Sequence, residues 1–292
     1  MKAMNNAHKI VGSLLSENKP LQRSYEAVYS TTDPIINDHR VYGVVIVPGS
    51  FHLARLFAVM YYCYNIPSFT ITEIKFTNPL AIKDNTSVKV TMNISQENDS
   101  SYSFKIASDS VAHATGMLTV GSYSDLKLSD EAALTKKEVS IDKFDAYFKR
   151  CHLTYGPGYK WLVTLFATDF NALCYMRGPS PNNEVDGLVL HPGQIDCSFQ
   201  VFLGIMLPLA EASNSDDAWI LGGINQIKIY KKPHGKIKCK NVMLNHNDFT
   251  YESRKIVGDI AYYDENNDLI ADFIGVVAVK VSADKLKMSA SL

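Results

Sequence analysis

The chain has 292 residues, 46% hydrophobic and 20% charged, with a formal net charge of −1. It can bury a full core, as one large domain or two of about 150 residues. The near-neutral balance argues against a global attraction to nucleic acid or to a membrane surface.

The opening stretch, MKAMNNAHKIVGSLL, lacks the unbroken apolar run of a signal peptide, so a cytoplasmic location is expected. The two most apolar stretches, 41–64 and 197–210, read as core; the first is broken by Pro48, Gly49, His52 and Arg55, and the second is too short to span a bilayer. Residues 50–64 predict a buried helix. Strands are predicted over 70–77, 86–95, 102–108 and 112–120, separated by polar turns such as Lys83-Asp84-Asn85. Residues 121–140 are polar and rich in Ser, Lys and Glu. The chain therefore divides into 1–125, a linker over 126–140, and 141–292, joined as one integrated domain. Short amphipathic helices are predicted over 141–150 and 158–168, and a second buried helix over 194–210. Strands return over 240–247, 254–263 and 269–281. The five cysteines are scattered with no CxxC pair, which predicts free thiols in a reducing compartment and neither a zinc site nor a disulfide framework.

An internal repeat stands out. Gly43-Val-Val-Ile-Val-Pro48-Gly49 is echoed 144 residues later by Gly187-Leu-Val-Leu-His-Pro192-Gly193, and each copy leads into an apolar helix. The pattern predicts two similar halves, each with a strand-like segment, a Pro-Gly turn and a buried central helix inside a sheet. The halves differ where chemistry could sit. His39 precedes the first copy and Asn183 takes its place in the second; Asp196 lies in the first turn of the second helix, where the first helix has His52.

At these residues the sequence resembles a polyketide synthase dehydratase domain. Asp38-His39-Arg40-Val41-Tyr42-Gly43 through Pro48 matches that family's HxxxGxxxxP motif. Tyr155-Gly156-Pro157 matches its YGP motif, and His191-Pro192 through Asp196 and Gln200 matches HPxxxDxxxQ. Weaker echoes are Phe76 to Leu80 and His113-Ala114 with Gly116. The resemblance runs from about residue 8 to 281. It departs at His152, where the family usually has Gly; at Ser110, in place of Trp; and at Gly222-Gly223, in place of Leu-Pro before a strand over 224–230. The implied fold class is α+β, a double hotdog: two antiparallel sheets, each wrapped around a long central helix.

The resemblance implies dehydration of a 3-hydroxyacyl thioester carried by an acyl carrier protein. His39 would be the base that takes the C2 proton, since an ordinary imidazole is mostly neutral at neutral pH. Asp196 would be the acid that protonates the departing hydroxyl, which requires burial to outweigh the helix dipole. Gly43 would offer its N–H to the thioester oxygen, helped by the helix that starts after Pro48. Tyr155 would line the acyl tunnel, and Gln200, at i+4, can fix the Asp196 rotamer. Read without the motifs, His39 is equally a core histidine, Asp196 a helix-start carboxylate, and Gly43 and Tyr155 packing residues.

His191 reads as a turn residue and Cys197 as core. Lys228, Lys231, Lys232, Lys236, Lys238 and Lys240 predict a lysine-decorated hairpin turning at Pro233-His234-Gly235, or a docking patch for an acidic carrier. No cofactor or metal is expected. The implied partners are the acyl carrier protein, neighbouring synthase domains and a second copy as a homodimer. A double-bond isomerase, a pyran- or furan-forming cyclase and an inactive structural module stay open as alternatives.

Overall fold

The computed structural model describes residues 9–18, 22–121, 137–168, 170–179, 185–207, 217–245, 247, 250 and 253–284. Residues 126–136, most of the expected linker, lie outside them, as does Asn183.

The first half runs β1 (Ser13–Asn18), β2 (Gln22–Ser30), α1 (Pro34–Asn37), β3 (His39–Val41), β4 (Val44–Val47), α2 (Gly49–Ala58), β5 (Phe69–Phe76), β6 (Leu80–Ile82), β7 (Ser87–Asn98), β8 (Ser101–Ser108) and β9 (Val111–Val120). The second runs β10 (Lys137–Val139), α3 (Ile141–Arg150), β11 (Leu153–Tyr155), β12 (Leu162–Ala167), β13 (Asn171–Met176), α4 (Pro192–Ile205), β14 (Ala218–Ile229), β15 (Lys238–Met243), β16 (Lys255–Tyr263) and β17 (Leu269–Val281).

Two antiparallel half-sheets, β1-β2-β7-β8-β9-β5 and β14-β17-β16-β15-β13-β12-β10, join edge to edge where β5 pairs with β14, from Gly223 opposite Lys75 to Ile229 opposite Phe69. Each half-sheet wraps one helix. α2 buries every residue but Gly49, and α4 every residue but Phe199, because both are apolar nearly all round. The two helices pack on each other. This is the double hotdog architecture. A small second sheet, β11-β3-β4-β6, takes one strand from the second half and three from the first.

The repeat has a backbone basis. Gly43 and Gly187 both adopt positive φ, 79° and 73°, where a Cβ would be strained. The two copies then diverge. Residues 44–47 form β4, held between β3 and β6, whereas 188–191 bend without joining a ladder. The expected strand character of the second copy is therefore not present, since no described segment offers it an edge. The helix expected over 158–168 is a 3₁₀ turn at Pro157–Tyr159 followed by β12, which is paired on both sides by β10 and β13. β-Branched Val163 and Thr164 suit that strand. The expected lysine hairpin is also absent. β14 pairs with β5 and β17, and β15 with β13 and β16, so 230–237 is a crossing connection between strands that are not neighbours. Its lysines disperse: Lys231 pairs with Asp268 at 2.5 Å, Lys232 donates to the Tyr62 hydroxyl at 2.9 Å, and Lys238 is buried. Gly222-Gly223 lies inside β14, not before it, at a bulge between Leu221 and Gly223.

Candidate active site

His39 opens β3 and is flanked on both sides by backbone. Tyr155 of β11 is its direct cross-strand partner. On the other side its Nδ1 lies 2.8 Å from the Ile46 carbonyl oxygen. A carbonyl only accepts, so Nδ1 carries the proton and Nε2 is left with the lone pair. The rings of Tyr155 and Tyr159 stand edge-on to the imidazole at 5.4 and 5.3 Å.

Nε2 faces Asp196 Oδ1 at 4.0 Å. Asp196 projects from α4. Gln200, one turn on, donates from Nε2 to its Oδ2 at 2.8 Å, and the Ser50 hydroxyl of α2 donates to its Oδ1 at 3.2 Å. Asp196 is not in the first helical turn, as the sequence suggested. α4 starts at Pro192, because His191 caps it: Nδ1 accepts from the Gly193 N–H while the Gln194 side chain accepts from the His191 N–H. Asp196 is thus the fifth helical residue, where the dipole is already weak. Burial dominates at both groups. It pushes the Asp196 carboxyl above the usual carboxylate range, against the opposing pull of His39, Gln200 and Ser50. It pushes His39 below the usual imidazole value, against the pull of Asp196 and the Ile46 carbonyl. Burial thus favours the neutral form of each group.

Both residues border a cavity of about 410 Å³, a size common for small-molecule sites. Pro48, Gly49 and Ser50 at the start of α2 line it, with Tyr155 and Gln200. Apolar walls come from Phe199, Phe202 and Leu203 of α4, Leu221 of β14 and Val276 of β17. Four of the residues singled out in the sequence, Pro48, Tyr155, Gln200 and Asp196, therefore meet His39 around one space. Gly43 does not. It sits with Tyr42 in the two-residue β3–β4 turn, both at positive φ, exposed at the tip and away from the cavity. The first turn of α2 borders the cavity instead.

Ser50, Tyr159, Trp219 and the cavity-lining His52 were not among the candidate site residues. Ser50 is separated from its partner by 146 residues, and only α2 packing on α4 brings them together. The departures from the motifs have local explanations. His152 has φ 55°, which accounts for a preference for glycine there, and its ring stacks on Tyr42 at 4.9 Å. Ser110 is exposed in the β8–β9 turn. Cys197 is buried and packs in the core. Among the described residues no group of three or more His, Cys, Asp or Glu is arranged to hold a metal ion, and no helix is long and apolar enough to cross a membrane.

Comparison with known proteins gives a consistent result. Residues 8–109 match the family model "polyketide synthase dehydratase domain", and residues 125–288 match "polyketide synthase dehydratase N-terminal domain". Polyketide synthase PksN of Bacillus subtilis (strain 168) is 20% identical over 201 residues, 64% of this chain; the chain spans about 4% of the length of that synthase. The dehydratase domain from the CurJ module of the curacin polyketide synthase superposes with a TM-score of 0.83 at 22% identity, covering 96% of this chain and 98% of that one. The dehydratase domain of RzxB from Pseudomonas fluorescens gives 0.79 at 16% identity, covering 93% and 98%. With both halves of the double hotdog matched by family models, the chain belongs to the polyketide synthase dehydratase domain family.

Proposed function

We propose that this domain removes water from a 3-hydroxyacyl thioester tethered to an acyl carrier protein, leaving a 2,3-enoyl thioester. The observation that carries the reading is the buried His39–Asp196 pair, 4.0 Å apart at the wall of a largely apolar cavity, with burial favouring the neutral form of each.

His39 Nε2 takes the C2 proton. The Nδ1–H bond to Ile46 holds the ring in the tautomer that leaves Nε2 free to do so. Negative charge moves onto the thioester oxygen, which lies towards the positive end of α2 at Pro48, Gly49 and Ser50. The C3–O bond breaks as Asp196 gives its proton to the hydroxyl, which leaves as water. The carboxylate formed is met by hydrogen bonds from Gln200 and Ser50. Passage of the proton from His39 back to Asp196 restores the starting pair, so no cofactor is required.

The residue types agree with what is said of relatives. Solved dehydratase domains of the curacin synthase include inactive forms with a histidine replaced by phenylalanine or an aspartate replaced by asparagine. The free thiols suit a cytosolic setting, and carrier protein and neighbouring synthase domains are the expected partners. The test is the intact mass of a carrier protein loaded with a 3-hydroxyacyl chain, before and after incubation. Loss of one water, absent with His39→Ala, supports the reading. Unchanged mass across several chains, or water loss that persists in His39→Ala, overturns it.

A further inference from the structure

One polar group on the cavity wall has no part in this mechanism. His52 lies on α2 three residues beyond Gly49, on the same face and roughly 4.5 Å farther along the axis. It borders the cavity and is only 3% exposed. Its Nδ1 is enclosed with no hydrogen-bond partner, and Nε2 bonds to no described residue. The neighbouring rings do not satisfy it. Tyr29 is stacked at 6.4 Å and its hydroxyl accepts from Arg55; His113 is stacked at 6.2 Å. Both nitrogens of His113 are already committed, Nδ1 to the Asn78 carbonyl at 2.9 Å and Nε2 to the Ser108 hydroxyl at 2.7 Å.

Leaving a buried imidazole unpaired costs about 1–3 kcal/mol, where a phenyl ring would fill the same space at no such cost. Nε2 is the nitrogen that is not enclosed; a ligand that fills the cavity excludes water from it, so a ligand that pairs with Nε2 avoids the same cost there. Burial, aided by His113 and Arg55, lowers the pKa of His52 to about 3, so it meets a ligand as a neutral ring. A hydroxyl both donates and accepts, so it satisfies either tautomer of that ring, whereas a carbonyl satisfies one.

We infer that His52 is a specificity-determining residue, which hydrogen-bonds a hydroxyl carried by the acyl chain beyond C3 and so selects hydroxylated chains over plain alkyl chains. This rests on the dehydratase reading. A site built to pair with a hydroxyl discriminates against the analogue that lacks it, because the protein group is then left unpaired.

The experiment compares carrier-loaded chains of equal length, one bearing only the 3-hydroxyl and others a further hydroxyl at C5 or C7. The readout is the ratio of their kcat/KM values, which cancels any effect common to both. The native protein is expected to favour one of the hydroxylated chains on the order of 10-fold. In His52→Phe the ratio is expected to fall to about 1, while His52→Gln, which keeps a donor and an acceptor, retains a preference. A native ratio near or below 1 for every hydroxyl position overturns the inference while dehydration itself stands. A ratio unchanged in His52→Phe does so too, including the case where both chains slow alike because His52 serves the carrier's arm or the packing. Absence of dehydration with every chain is a failure of the dehydratase reading itself.

Discussion

Tyr155 stands directly opposite His39 in the β11–β3 ladder, with the two rings 5.4 Å apart. Two sequence motifs from opposite halves of the chain are thus adjacent rungs of one small sheet. His39 is braced by backbone on both sides, Tyr155 on one and the Ile46 carbonyl on the other, which fixes its position as well as its tautomer.

Asp196→Asn is expected to lower kcat by about 10²–10⁴-fold, the usual contribution of a positioned acid. The same change should raise stability at neutral pH. Asp196 has a raised folded pKa, so folding favours its protonated form. Its contribution is fully present below the unfolded value near 3.8 and is lost as pH rises through the folded pKa. Asn is never ionised and carries no such loss. Thermal melts at pH 4 and pH 7 should show a Tm gain for the variant that is larger at pH 7, on the order of a few degrees. A melt lower than native at both values would mean that the burial cost has been misassigned.

The pH profile follows from the same pair. The proposed mechanism requires neutral His39 and protonated Asp196, so kcat/KM should be bell-shaped, failing on the acid side as His39 protonates and on the alkaline side as Asp196 ionises. The Gln200 hydrogen bond stabilises the carboxylate and lowers the Asp196 pKa. Gln200→Leu removes it, so the alkaline limb should move to higher pH while kcat falls about 10-fold through loss of the fixed rotamer. An unmoved limb would separate Gln200 from the acid.

Gly43→Ala separates turn from chemistry. An alanine at φ 79° meets open space but a strained backbone, which costs about 1–2 kcal/mol. The expected result is a lower denaturation midpoint with kcat/KM within about 2-fold of native, a shift too small for a lost oxyanion donor. A fall of 10²-fold or more would return Gly43 to the site.

Much of this was legible in the sequence because the relevant residues sit beside backbone features that single residue types betray. The paired glycines at positive φ, the Pro-Gly helix starts and strands β5, β7, β8 and β9 all leave local signals. What stayed hidden depends on distant partners. β13 reads Asn-Ala-Leu-Cys-Tyr-Met, with buried residues on both faces and no alternation to mark it. Ser50 and His52 carry no signal of their own; Ser50 meets Asp196 only because α4 packs on α2. The lysines from 228 to 240 share a short stretch of sequence but not a hairpin, because β14 and β15, which that stretch connects, are not neighbours in the sheet.

Asp38 offers the last test, of how the Tyr155 loop is held beside His39. Its carboxylate accepts from the Gly158 N–H at 2.7 Å and its backbone carbonyl from the Gly156 N–H at 2.8 Å, so one residue anchors both ends of the turn that follows Tyr155. Asp38→Ala strips the partly buried Gly158 N–H of its acceptor, at a cost of about 1–3 kcal/mol. Because β11 is short and its loop is pinned from the His39 side, the loss should reach the site, lowering kcat about 10-fold. Asp38→Asn keeps an acceptor in place and should restore most of both stability and turnover. Equal defects in the two variants would point to the negative charge, not the loop anchor, as what Asp38 provides.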